Sequence, residues 1–320
     1  VAPPASRGVD VLSIGETMAL VVPARAERVE VAREFRIETG GAESNVACHL
    51  AAAGRRAAWL SALGDDALGR RVRTRLDRAG VDTSRVRLDP AAPTGLYVKD
   101  PGAGVVYYRR GSAASGLSPE DLTRVAWDDV RVVHLSGITP ALSRSCHALV
   151  HAAIDAARAH GALVSFDVNH RPALWPDGAT AATVIAEAAK RADIVWTGRD
   201  EAAALWDTRT ADDVRRLFPE TPHLIVKDAE IEAVEFSHGG RTAVPARRVD
   251  VVEPVGAGDA FAAGWLDGLL GGVDAAQRLE RGHAFAARAL SSTQDVPTED
   301  ASGPTSRHED PRGTGRTSRE

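Results

Sequence analysis

The chain has 320 residues, 44% of them hydrophobic, enough for a large buried core arranged as one α/β domain with an appendage or as two domains. Its net charge of −5 offers no basic footprint for nucleic acid, and no stretch approaches the ~20 apolar residues that span a bilayer. Cys48 and Cys146, the only cysteines, stand in no metal-ligand spacing, and residues 1–8 lack a signal peptide's apolar middle, so a reducing, cytoplasmic setting is expected.

Residues 9–16 read as a buried strand ending in a glycine turn, and alternation resumes at residues 19–22. After Gly40-Gly41, residues 42–53 form a helical run, and residues 57–63 a strand closed by Gly64-Asp65-Asp66. An arginine-rich amphipathic helix over residues 69–79 stops at Gly80. This β-α-β order predicts a mostly parallel sheet with helices on both faces. Residues 94–110 break the rhythm: two alternating runs flank Asp100-Pro101-Gly102, a hairpin pattern whose alternation needs a partner surface.

Alternation of α and β then returns, with strands at residues 130–135, 163–167 and 194–196 and helices at 143–160 and 179–191. A strand opens at residues 224–227, residues 233–237 continue, and Gly239-Gly240 turns a second hairpin. Helices at residues 259–270 and 279–290 close the pattern, and no solenoid repeat is present. From residue 291 to 320 the chain is polar and rich in Pro, Ser, Thr and Gly, and disorder is expected.

The chemistry concentrates in Glu253-Pro254-Val255-Gly256-Ala257-Gly258-Asp259, followed by an apolar helical run. Glycines let backbone approach an anion, and a helix start presents unpaired N–H groups and the positive end of its dipole. Asp259 would then sit where charge is transferred, beside the Gly256, Ala257 and Gly258 amides, although a glycine turn capped by Asp also starts many ordinary helices. No Gly-x-Gly-x-x-Gly follows the first strand, which argues strongly against a dinucleotide-dependent oxidoreductase.

This segment resembles the C-terminal signature of the PfkB, or ribokinase-like, sugar kinases, and Gly40-Gly41-Ala42-Glu43-Ser44-Asn45-Val46-Ala47 resembles their N-terminal substrate signature. Three stretches are similar to 2-keto-3-deoxygluconate kinases in particular. They are Val106-Tyr107-Tyr108-Arg109-Arg110-Gly111-Ser112-Ala113, His134-Leu135-Ser136-Gly137-Ile138-Thr139 and Asp167-Val168-Asn169-His170-Arg171. The resemblance runs over residues 11–290. It implies a three-layer α/β/α kinase domain over residues 9–290, with a mostly parallel central sheet and a small β-sheet lid from residues 17–37 and 94–110.

The resemblance further implies ATP and Mg2+ as cofactors, Asp259 as general base and a homodimer or higher homo-oligomer. Gly41, Asn45, Tyr97, Tyr107, Arg109 and Arg171 match substrate positions, and Asn169, Lys227, Gly256 and Gly258 match nucleotide positions. Two arginines on one pocket suit an acceptor that carries a carboxylate, so a small sugar acid is expected. The lesser alternatives are lid packing for Tyr97 and Tyr107 and surface ion pairing for the arginines.

Two departures stand out. The family's Asn-x-x-Glu, which supports the metal, is Gly198-Arg199-Asp200-Glu201 here, leaving Glu201 as an indirect metal contact or a simple first-turn acid. The family's Lys-x-Gly-x-x-Gly is Lys227-Asp228-Ala229-Glu230-Ile231-Glu232. If positive φ is required there, Ala229 and Glu232 are strained or the turn is rebuilt, and carboxylates near a polyphosphate repel it. The alternatives are therefore a kinase for another sugar or nucleoside, and a sugar-binding protein with impaired nucleotide binding.

Overall fold

The computed structural model describes residues 8–252 and 255–291; the expected disorder of the tail, and Glu253-Pro254, lie outside them apart from Ser291. The chain opens with β1 (Val9–Ile14), β2 (Met18–Pro23), β3 (Phe35–Gly40), α1 (Ala42–Ala52), β4 (Ala57–Gly64), α2 (Ala67–Arg78) and β5 (Asp82–Asp89). The hairpin β6 (Leu96–Asp100) and β7 (Gly104–Tyr108) follows, then β8 (Val130–Ser136), α3 (Thr139–Leu142), α4 (Arg144–Ala159), β9 (Leu163–Asp167), α5 (Gly178–Ala189), β10 (Ile194–Gly198) and α6 (Arg199–Trp206). The last elements are α7 (Ala211–Leu217), β11 (His223–Asp228), β12 (Glu232–Ser237), β13 (Gly240–Pro245), α8 (Ala257–Leu270) and α9 (Ala275–Leu290).

Nine strands form the main sheet in the order β13-β12-β11-β10-β9-β8-β1-β4-β5. Every neighbouring pair is parallel except β11–β12 and β12–β13, and the latter is the hairpin turned at Gly239-Gly240. Successive side chains leave a strand on opposite faces. Accordingly Leu12 and Ile14 join one apolar cluster with α4 and α5, while Val11 joins another with α1, α2, α8 and α9. Helices thus cover both faces, the expected three-layer α/β/α arrangement. No helix of the described residues is long and apolar enough to cross a membrane.

The hairpin at residues 94–110 finds its partner surface in β2. A second, four-stranded sheet runs β3-β2-β6-β7, with β2 and β6 parallel and the outer pairs antiparallel. Strand β5 and helix α7 have no counterpart in the sequence reading. Polar and apolar residues mix along Asp82–Asp89 because β5 is an edge strand, and α7 buries only Val214. The final helices also start earlier than their apolar runs, at Ala257 and Ala275, so Gly256 rather than Asp259 is the N-cap of α8.

One buried charge holds the end of the main sheet to the helices. Glu235 is fully buried on β12, paired to Arg278 of α9, 3.1 Å from His223 Nδ1, and accepts a 2.8 Å hydrogen bond from Trp265 Nε1. Burial alone would raise its pKa, yet these partners hold the carboxyl below its ordinary value. Removing one partner of such a pair leaves an uncompensated charge. Arg278→Met is expected to destabilise the fold by about 3–5 kcal/mol in urea unfolding, and Arg278→Met with Glu235→Leu to recover most of that loss.

Candidate active site

The carboxyl ends of β1, β9, β10 and β11 and the first turn of α8 border one cavity of about 1500 Å3. Parallel α/β sheets place their sites at such strand ends, where loops are free to vary above a rigid frame. Alternate residues of the second sheet line the same cavity: Met18, Leu20 and Val22 on β2, Arg36, Glu38 and Gly40 on β3, Tyr97 and Lys99 on β6, and Val105 and Tyr107 on β7. One face of that sheet therefore forms a wall of the cavity.

Asp259 lies within the first turn of α8 and borders the cavity, beside the glycine turn. Gly256 has φ of 80°, a left-handed conformation that a Cβ disfavours, and this sharp entry leaves the first-turn amides of α8 with no preceding helical carbonyl. An added Cβ on Gly258 would stand 3.4 Å from Lys227 Nζ, so a cation stands next to those amides. Burial raises the Asp259 pKa to about 7, assisted by the nearby Asp167 carboxylate. A 2.9 Å hydrogen bond from Asn45 Nδ2, together with Lys227 and Arg171, opposes that rise. The outcome is a carboxyl poised near neutrality and oriented by an amide from α1.

Gly41, the N-cap of α1, lets the start of that helix pack against the segment after β1: a Cβ there would come within 2.4 Å of the Glu16 carbonyl oxygen. Tyr97 and Tyr107 are direct cross-strand partners, with ring centroids 5.7 Å apart and stacked, and the Arg109 guanidinium lies 5.4 Å from the Tyr107 centroid. Arg109 is already paired to the buried Glu16, with Nε donating over 2.7 Å, and Ser112 Oγ donates to the same carboxylate over 2.9 Å. Arg171 is exposed and bonds only weakly to the His170 carbonyl, at 3.3 Å. The two arginines expected to act alike thus differ: one is anchored by a protein carboxylate, while the other can turn toward an incoming anion.

Oxygen donors gather between β9, β10 and β11. Asp167 faces Lys227 Nζ at 3.6 Å, and Asn169, at φ 37°, holds a buried Oδ1 that has no hydrogen-bond partner among the described residues. Glu201 accepts from the His170 amide at 2.5 Å and the Gly198 amide at 3.1 Å, tying the loop after β9 to the turn after β10. Burial first, then Asp167, raises the Glu201 pKa. This all-oxygen set fits a hard divalent cation that keeps several waters, with Glu201 supporting from behind because its oxygens are already in use.

Residues 9–301 match the pfkB family carbohydrate kinases. The chain belongs to that family. It is 34% identical over 301 residues to the 2-dehydro-3-deoxygluconokinase of Bacillus subtilis (strain 168), covering 90% of this chain and 91% of that protein. It is 33% identical to the 2-dehydro-3-deoxygluconokinase of Thermoproteus tenax, over 90% of this chain and 89% of the relative. The crystal structure of a PfkB protein from Polaromonas sp. JS666 superposes with a TM-score of 0.84 at 34% identity, covering 91% of this chain and 97% of that one.

The departure after Lys227 has a structural resolution in this pfkB kinase. Residues 228–231 make a tight turn between β11 and β12, closed by the Ile231 amide on the Asp228 carbonyl at 2.8 Å. Ala229 takes φ of 40°, while Glu232 keeps ordinary strand backbone, so only the first lost glycine leaves strain. Asp228 is paired to Arg199 at 2.8 Å and Glu232 to Arg241 at 3.6 Å. Arg199 belongs to the other divergent stretch, so the two departures meet as one ion pair that offsets a carboxylate at the cavity edge. Ala229→Gly is expected to raise stability by up to about 1 kcal/mol in denaturant titration, because glycine relieves the left-handed strain.

Every residue singled out in the sequence borders the cavity: Gly41, Asn45, Tyr97, Tyr107, Arg109, Asn169, Arg171, Glu201, Lys227, Gly256, Ala257, Gly258 and Asp259. Acids that the sequence reading left without a role join them, Glu16, Glu43 and Asp167 among them. Glu43 is fully buried and accepts from Ser136 Oγ at 2.7 Å and Thr139 Oγ1 at 2.9 Å, and burial raises its pKa. The available signal was position: Asp167 ends a strand, Glu16 lies just beyond one, and Glu43 lies in the first turn of a helix.

Proposed function

We propose that this kinase transfers the γ-phosphoryl group of ATP to the 6-hydroxyl of 2-keto-3-deoxygluconate. The observation that carries the reading is a single cavity with a near-neutral carboxyl, Asp259, at a helix N-terminus and an exposed arginine, Arg171, on the same lining. Its two relatives named above carry the corresponding sugar-acid kinase names.

In this reading the acceptor lies under the second sheet, against Tyr97 and Tyr107, with its carboxylate on Arg171 and the Arg109–Glu16 pair shaping the wall. Residues 17–37 and 94–110 serve as the lid of a kinase unit spanning residues 9–290. Asn45 orients Asp259, and Asp259 Oδ atoms take the proton of the attacking hydroxyl. The amides of Gly256, Ala257 and Gly258, with Lys227 beside them, hold the charge that develops on the phosphoryl oxygens. A bound Mg2+, supported by Asp167, Asn169 and Glu201, would neutralise phosphate charge. The exposed edge strand β7, which presents Val105, Val106 and Tyr108, supports pairing of lids in a homodimer.

A coupled kinase assay across sugar acids and neutral sugars tests the acceptor. The expected result is highest kcat/KM for 2-keto-3-deoxygluconate, and equal or better turnover of fructose or ribose would overturn the sugar-acid reading.

A further inference from the structure

Away from the cavity, α4 and α5 lie side by side over the apolar cluster on one face of the main sheet, and their outward positions bring three potential ligands together. His147 and His151 stand four residues apart on α4, on one face of the helix, and Glu187 stands on α5. One ligand atom from each lies within 4.8 Å of the others. The two imidazole Nε2 atoms are 3.1 Å apart, with the rings edge to face. That separation is close to the edge of a coordination tetrahedron built on bonds of about 2.0 Å, the length of a zinc–imidazole bond. Neither histidine is an internal packing residue: both are half-buried, Glu187 is exposed, and an ion could reach the site from solvent. None of the three borders the active-site cavity.

We propose that His147, His151 and Glu187 form a divalent transition-metal site of the zinc class, with solvent as the remaining ligand, that ties α4 to α5. The donor set decides the class: two imidazoles and one carboxylate suit Zn2+, Co2+ or Ni2+, whereas Mg2+ prefers oxygen alone. The neighbours specify what binding must change. Arg191 Nη1 lies 2.8 Å from His151 Nδ1, and a guanidinium can only donate, so without metal the ring proton of neutral His151 sits on Nε2 and points at His147. Taking a metal on both Nε2 atoms requires that proton to leave Nε2, with Nδ1 becoming the protonated position. Arg191 must then release the ring, and its ion pair with Asp155 gives the guanidinium somewhere to turn.

Titration calorimetry of the metal-stripped full chain with ZnCl2, together with thermal melts, tests the site. The wild type is expected to bind one Zn2+ with a dissociation constant of about 10 µM and to melt higher with zinc than without. Millimolar Mg2+ should not compete. His147→Ala and His151→Ala should each weaken binding at least about tenfold, and Glu187→Gln, an exposed change that spares the fold, by a smaller factor. Arg191→Ala should tighten binding, since it removes the donor that holds His151 in the wrong tautomer. Retention of the zinc affinity in the double variant His147→Ala/His151→Ala would assign the ion to the cavity carboxylates and overturn the proposal. So would the absence of binding at about 100 µM zinc, or weaker binding in Arg191→Ala.

Discussion

Asp259→Asn is expected to lower kcat about a thousandfold while leaving the KM for the sugar acid within a few-fold, as befits a group used in the transition state more than in binding. Asparagine keeps the shape of the side chain and can still bond Asn45 through its oxygen, so the variant loses the base and little else. Because burial lifts the Asp259 pKa to about 7, wild-type kcat/KM should fall close to tenfold per unit as pH drops below that value. The variant's residual rate should lack this limb. A variant that retains more than about a tenth of wild-type kcat would remove Asp259 from the role of base.

The same shift has a consequence for stability, and its sign is opposite to that of a salt-bridged aspartate. A carboxyl whose folded pKa lies above its unfolded value favours folding most at low pH, where both states are protonated. That contribution is lost as pH rises from the ordinary value of 3.8 through about 7. Relative to Asp259→Asn, the wild type should therefore become less stable across this interval, which paired urea titrations at pH 5 and pH 8 would measure. A parallel pH response of the two proteins would show that the site does not desolvate Asp259.

Arg171→Ala should raise the KM for the sugar acid about a hundredfold with a much smaller change in kcat, the pattern of lost ground-state binding. Arg171 is the better test of the carboxylate clamp because it has no ion-pair partner among the described residues. Removing Arg109, by contrast, would leave the buried Glu16 without its cation, so lost activity there would mix substrate binding with damage to the fold. Comparing the sugar acid with its uncharged alcohol analogue makes the test specific. Arg171→Ala should discriminate against the acid and leave the analogue nearly unaffected. An equal effect on both would favour a neutral acceptor.

Strand and helix alternation was readable because most elements are buried on a definite face: β1 and β4 are buried throughout and mostly apolar, and α4 buries one stripe. Strand β5 escaped for the converse reason, since an edge strand carries Arg85 and Arg87 among its apolar positions and loses its period. The start of α8 was misplaced by two residues because Ala257 and Gly258 carry no side-chain signal. Their helical geometry follows from the left-handed turn at Gly256.

By itself the sequence determined the α/β class and the glycine turn with its aspartate, since each was marked by a local pattern, and the family resemblance picked out many of the residues that meet at the cavity. Only the tertiary structure decided how their charges combine. Asp167 stands near Asp259 and Glu201, Glu16 occupies Arg109, and Arg199 neutralises Asp228. These relations join residues far apart in the chain, and Coulomb energy and desolvation depend on distance and burial, which no local pattern encodes. The same holds for Glu187, which reaches the histidines of α4 only because two helices pack on one sheet.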